Sequence, residues 1–157
     1  MKKILIQTLI ISLFFISFNA RAEIKHIKDG NVDAKVKLVV FESLTCSHCG
    51  DFHRDIYPKL KTDFIDKNLI SIEYRNFPLD IAAFNAAKIA HCRNDGKSEI
   101  LHHLYNNQSS WVRGSTIEDL NKNLKRVVQE SGFKLDFDKC IADSKIEDFI
   151  LEDRIDG

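Results

Sequence analysis

Val36-Lys37-Leu38-Val39-Val40-Phe41, then Glu42-Ser43-Leu44-Thr45, then Cys46-Ser47-His48-Cys49 run on without a break. Apart from Lys37 the first six residues are apolar at both alternations, and three of them are β-branched. That is the pattern of a central strand covered on both faces. Beyond the second cysteine, Phe52, Ile56, Leu60 and Phe64 recur at four-residue spacing, so a helix carries the pair and its exit. Pro58 falls inside that helix and predicts a kink. A buried strand feeding a C-x-x-C at the mouth of a helix decides the fold class as α/β.

The same context decides the chemistry. The first turn of a helix has backbone N–H groups without partners, and its dipole favours negative charge. A thiolate at Cys46 is therefore stabilised, with His48 as a possible positive neighbour. The two-residue gap lets the sulfurs meet, and Cys49, one turn in, is expected to be the more buried. These features predict a redox dithiol: Cys46 exchanges with substrate and Cys49 resolves. Three other readings compete. A purely structural disulfide at this spacing constrains little of the unfolded chain. A metal site using Cys46, Cys49 and His48, with His53 as a further candidate, lacks a second ligand pair at comparable spacing. A c-type haem site needs C-x-x-C-H, and here Gly50 follows. No cofactor and no metal is expected.

Composition sets the compartment. Lys2 and Lys3 precede an uncharged run, Ile4 to Phe18, and Ala20-Arg21-Ala22 supplies small residues at an A-x-A spacing. This reads as a signal peptide over residues 1–22, cut before Glu23. The apolar run, about 15 residues, is short of the roughly 20 that span a bilayer. Removing 22 residues from 157 leaves 135, with 20 basic and 23 acidic groups, a formal charge of −3. That balance argues against a general nucleic-acid binder. All four cysteines remain, in an exported and oxidising setting. Cys92 and Cys140 fall in helical patterns, and the simplest account is one structural disulfide. Its loop of about 49 residues would stabilise by about 4 kcal/mol on a chain-entropy argument.

The remaining pattern is coarse. Ile24 and Ile27 give a weak edge strand ending at Asp29-Gly30. Ile70, Ile72 and Tyr74 alternate with polar residues as a second strand, ended by Asn76-Phe77-Pro78. Strands joined by a helix should pair in parallel. Asp80 is placed to cap a helix from Ile81 to His91, with Asp95-Gly96 as its stop. Short helices are predicted near Ile100–Tyr105 and Leu135–Ile141. Capping boxes at Ser115/Glu118 and Ser144/Glu147 predict two more, the first closed by Gly132. Trp111 reads as partly buried packing. Glu42 would relay protons to Cys49 if it faced inward, but reads as an exposed or paired acid. The six histidines look scattered, and Glu147 to Asp153 reads as a solvated helix face.

Phe41–Cys49 with Phe52-His53, and Arg75-Asn76-Phe77-Pro78-Leu79-Asp80 leading to Ala90-His91-Cys92, resemble the DsbA-like thiol–disulfide oxidoreductases. The resemblance runs from about residue 32 to about residue 155. It implies a thioredoxin-like fold with an inserted helical subdomain, residues 23–79 forming the N-terminal part and 80–157 the insertion. It implies a periplasmic enzyme that oxidises newly exported proteins and is reoxidised by a membrane partner passing electrons to quinone. On it Cys46 is the nucleophile, Cys49 its buried partner, and Ser47 and His48 the supporting dipeptide. A disulfide like Cys92–Cys140 occurs in some relatives. The dipeptide here is Ser-His rather than the frequent Pro-His. Val40 stands where many relatives carry an acid that assists proton transfer. Relatives also continue into a β-β-α unit bearing a cis-proline that binds substrate, whereas Pro58 and Pro78 are the only prolines here. The expectation is a truncated, catalytically impaired product or half of a split reading frame, with one edge of the Val36–Phe41 strand unpaired.

Overall fold

The computed structural model describes residues 23–157; the expected signal peptide lies outside the described residues. Three strands, β1 (Ile27–Asp29), β2 (Val36–Glu42) and β3 (Ile70–Asn76), form one sheet in the order β1-β3-β2. β2 pairs parallel to β3 from Val36 opposite Ile70 to Glu42 opposite Asn76, and β1 pairs antiparallel to β3. The middle of the sheet is thus β3, whose Ile70, Ile72 and Tyr74 are buried.

β2 departs from the expectation of a strand covered on both faces. It is an edge strand, and Val36, Leu38, Val39 and Phe41 are exposed. Alternate residues point to opposite faces, so neither face is fully covered. Its apolar pattern records what the strand is able to bury. Among the described residues, nothing pairs with its outer edge.

The helix after the cysteines runs from residue 47 to residue 65 with two wide turns. It comprises α1 (Ser47–Asp51), a π-helical turn (Phe52–Ile56), α2 (Tyr57–Leu60) and a second π turn (Lys61–Ile65). Pro58 sits in the first turn of α2, just after the first wide turn. A ring with no N–H is accommodated there by irregular winding, the usual company of a kink.

The insertion follows as α3 (Ile81–His91), α4 (Glu99–Asn106), α5 (Gln108–Trp111), α6 (Ile117–Glu130), α7 (Phe137–Ile141) and α8 (Ser144–Asp156). Asp80 caps α3 by accepting from Ala83 N–H at 2.7 Å. Two predicted caps move by one residue. Thr116, not Ser115, accepts from Asp119 N–H at 3.1 Å, and Asp143, not Ser144, accepts from Lys145 and Ile146 N–H. Gly132 adopts φ +77° after α6, a left-handed stop that a side chain would strain.

Small residues let α3 approach the sheet and the other helices closely: Ala82, Ala83, Ala86, Ala87 and Ala90 are all buried with Ile89. Cys92, just past α3, is bridged to Cys140 in α7, 48 residues away. Trp111 is fully buried and donates from Nε1 to Leu104 C=O at 3.0 Å, so it is core, with no exposed recognition edge.

The last helix corrects another expectation. Asp153 does not lie on a solvated face: it is 2% exposed. It accepts from Asn76 N–H at 2.9 Å, from Asn76 Nδ2 at 2.7 Å and from Arg75 Nη1 at 3.0 Å. It thereby docks α8 on the end of β3.

Candidate active site

The site grows from the ends of β2 and β3. Phe77 N–H donates to Glu42 C=O at 2.8 Å, and Leu79 N–H to Ser43 Oγ at 3.3 Å. Thr45 Oγ1 donates to Asp80 Oδ2 at 2.7 Å, so the acid that caps α3 also holds the loop before the cysteines. Cys46 is the N-cap of α1 with an extended backbone, and no side-chain oxygen caps that helix. The first-turn amides are therefore left to the sulfur or to solvent.

Cys46 and Cys49 are both unbridged and half-buried. Cys49 was expected to be the more enclosed; it packs against the core without being fully covered. Burial pushes its thiol up to about 11, against the hydrogen bond it receives from Ser43 N–H, and Cys46 and the Glu42 carboxyl add to the rise. In a Cys46→Ser chain, Cys49 is the remaining unbridged thiol. It should react with iodoacetamide at pH 7.5 on the order of 100-fold more slowly than cysteine in a short peptide, the ratio of thiolate fractions for two pK units. A peptide-like rate in a folded chain would contradict the burial of this sulfur.

Ser47 is exposed. The His48 side chain is 94% exposed, with Nδ1 3.7 Å from Asp51 Oδ2. Its imidazole thus meets a carboxylate on the solvent side. Among the described residues, no three His, Cys, Asp or Glu side chains converge as metal ligands, Cys46, Cys49 and His48 included.

Two groups of residues were missed. Gln108 reaches across from α5 and donates from Nε2 to Leu44 C=O at 2.8 Å and to Cys46 C=O at 2.9 Å. Its Oε1 lies so close to Gly50 that a methyl group there would collide with it. The sequence signal was Gly50 alone, a residue without a side chain directly after Cys49. The second group is a set of histidines and acids. Glu42 is buried, facing inward, and its Oε2 is 2.8 Å from His53 Nε2. His53 Nδ1 is 2.9 Å from His102 Nδ1, and His102 Nε2 is 2.9 Å from Asp29 Oδ2. The histidines are not scattered: 53 and 102 meet beneath the cysteine loop.

Their charges follow from their surroundings. Burial raises Glu42 to about 8. Burial and the neighbouring His102 lower His53 to about 3. Burial alone would raise Asp29, but hydrogen bonds from His102, Ser98 and Tyr74 hold it near 2.

A strand–C-x-x-C–helix unit on a mixed sheet, with a helical block inserted after β3, defines a thioredoxin-like dithiol protein. The profile of the family described as Thioredoxin matches residues 23–156. The chain is 33% identical to Wolbachia pipientis alpha-DsbA1, with a TM-score of 0.74 over 83% of this chain and 66% of that one. It is 31% identical over 125 residues to a Rickettsia bellii protein named as a protein-disulfide oxidoreductase, covering 78% of this chain and 47% of that protein. It is 28% identical to disulfide bond formation protein D of Bacillus subtilis, covering 75% and 57%. The chain belongs to the DsbA-like thioredoxin family. It spans about half the length of the curated relatives it matches.

Proposed function

We propose that this chain is a thiol–disulfide oxidoreductase of the periplasm, acting on reduced exported proteins through Cys46 and Cys49. The observation that carries the reading is the pair of unbridged thiols at the N-terminus of α1, one at the cap and one against the core. In the oxidised protein a substrate thiolate attacks the Cys46 sulfur. A bond forms between the two, the Cys46–Cys49 bond breaks, and Cys49 leaves as a thiolate that takes up a proton. A second substrate thiolate then attacks the substrate sulfur of the mixed disulfide and releases Cys46. The substrate has lost two electrons and the protein has gained them. A membrane partner that passes electrons to quinone would restore the disulfide.

Cys49→Ser should accumulate a mixed disulfide with a disulfide-bonded peptide, because Cys46 opens that bond, releasing one peptide thiolate, and no Cys49 thiol is left to displace the other. Cys46→Ser should accumulate none. Non-reducing electrophoresis with mass spectrometry reads both. Equal trapping by the two variants would contradict the assigned roles.

The exposure of Val36, Val39 and Phe41 supports a second reading: the chain works with a further polypeptide segment laid along β2. Dye binding to exposed apolar surface and self-association of the purified chain would support it. A monodisperse monomer without dye binding would oppose it.

A further inference from the structure

Three stretches of sequence meet beside the first turn of α1: Thr45 and Ser47 on either side of Cys46, Arg54 further along the same helix, and the junction of α4 with α5 from Asn106 to Val112. They line an open cleft of about 480 Å3, inside the range of about 300–1,000 Å3 usual for ligand clefts. Gln108 forms its inner wall. That residue is 7% exposed, and Nε2 spends its hydrogens on Leu44 C=O at 2.8 Å and Cys46 C=O at 2.9 Å. Its Oε1 is left as an acceptor to which no donor among the described residues bonds. Gly50 permits this placement, because a side chain there would collide with Oε1 and with Arg54 Nη1. An acceptor on so enclosed a side chain favours a ligand that brings an N–H to it.

We propose, resting on the dithiol reading above, that this cleft binds the main chain of the substrate polypeptide, with Gln108 Oε1 accepting a substrate amide N–H. The substrate class is then an extended, unfolded segment, lying on the side of Cys46 that faces the inserted helices. The cleft is joined to the site by direct contact. Gln108 Nε2 is 2.9 Å from Cys46 C=O, and the residues before and after Cys46 both belong to the lining. A polypeptide in the cleft therefore passes the residue that carries the exchanging sulfur.

The lining suits a backbone better than a charge. Its single charged member, Arg54, is already paired with Asp51 at 2.5 Å. Ser47, Asn106 and Ser109 are exposed and offer both donors and acceptors. The Thr45 hydroxyl is committed to Asp80 at 2.7 Å, so Thr45 adds shape and no free donor. Val112, half-buried against the core, is the apolar spot that one substrate side chain can cover. Each residue of an extended chain presents an N–H and a C=O, and it finds partners here whatever its side chains. The wall is also fixed in advance. Trp111 pins α5 to α4 through Leu104 C=O at 3.0 Å, and Gln108 pins α5 to the cysteine loop. The cost of ordering then falls on the substrate segment alone.

The test sets two disulfides against the reduced chain. One is hydroxyethyl disulfide, which has no amide. The other carries the same hydroxyethylthio group on the cysteine of a short unstructured peptide. In both, the Cys46 thiolate bonds to one sulfur as the disulfide breaks and the other sulfur leaves as a thiolate. Ser109→Trp fills the cleft from an exposed position. It should lower the ratio of the peptide rate to the hydroxyethyl rate about tenfold, the size of one or two lost hydrogen bonds. An unchanged ratio would overturn the proposal. In the parent chain the ratio should hold from low to high salt, and a steep fall with salt would assign recognition to charge and overturn main-chain binding. The same peptide with serine for cysteine should shift the 15N-labelled amide signals of Asn106, Ser109 and Val112. Shifts confined to Val36–Glu42, or no shift at the three, would remove the peptide from the cleft. Failure of the parent chain to react with either disulfide would instead sink the dithiol reading, and the amide shifts would still decide the cleft.

Discussion

Asp153→Ala should destabilise the chain by about 3 kcal/mol and lower Tm on the order of 10 °C. The residue is 2% exposed and satisfies the Asn76 backbone N–H, the Asn76 side-chain amide and the Arg75 guanidinium together. Removing it strands two buried donors and leaves Arg75 with only Glu73, at 2.6 Å. His91 Nε2, 3.0 Å from Asn76 Nδ2, keeps its partner, so the loss falls on the contacts of Asp153 itself. Asp153→Asn keeps the shape but loses the charge and turns one acceptor into a donor, so its loss should be smaller. Denaturant melts of both variants decide this. A loss under 1 kcal/mol for the alanine variant would mean that α8 is held by Ile146 and Ile150 alone.

Asp153 also shows what a linear pattern conceals. Glu147 to Asp153 carries four acids in seven residues, which fits a solvated face. Only the position of β3 relative to α8 turns one of the four inward. The caps at Thr116 and Asp143 are a milder case. In Ser115-Thr116 and Asp143-Ser144 two capable residues stand side by side, and the backbone turn selects one. Local signals with a single candidate, such as Asp80 before α3 or Gly132 after α6, were legible. So was the parallel pairing of β2 with β3, since the connecting helix requires a crossover.

The site divides along the same line. Cys46 and Cys49 are neighbours in sequence, and their helix mouth is a local feature. Glu42, His53, His102 and Asp29 are drawn from β2, the first π turn, α4 and β1. His53 and His102 stand 49 positions apart with no shared periodicity. Gln108 bonds to a loop more than 60 residues earlier. Contacts of this range depend on the folded chain. The exposure of β2 is the reverse: its apolar run was plain, but burial depends on what else packs there, and hydropathy does not count neighbours.

Thermal stability should pass through a maximum near pH 6.5 and fall by pH 8.5, and Glu42→Gln should abolish the alkaline fall. His53 and His91 are lowered by burial to about 3 and about 4 from an ordinary 6.5. Below pH 6.5 the unfolded chain binds protons that the folded chain refuses, so their contribution is complete above 6.5 and drains away toward 4 and 3. Glu42 has the opposite sign. Its folded value of about 8 exceeds the unfolded 4.5, so its contribution is complete below 4.5 and is lost as pH rises to 8. Between 4.5 and 6.5 two histidines outweigh one acid, and stability climbs. Above 6.5 the histidines have nothing further to give and Glu42 continues to lose. A drop on the order of 5–10 °C between pH 6.5 and 8.5 is expected. In Glu42→Gln the amide can donate permanently to His53 Nε2, copying the protonated acid. The variant should match the parent chain below pH 4.5, climb more steeply from 4.5 to 6.5 and stay level from 6.5 to 8.5. If both chains lose stability equally over that range, Glu42 is ionised in the folded protein well below pH 8, and the buried acid beneath the cysteine loop does not hold its proton at neutrality.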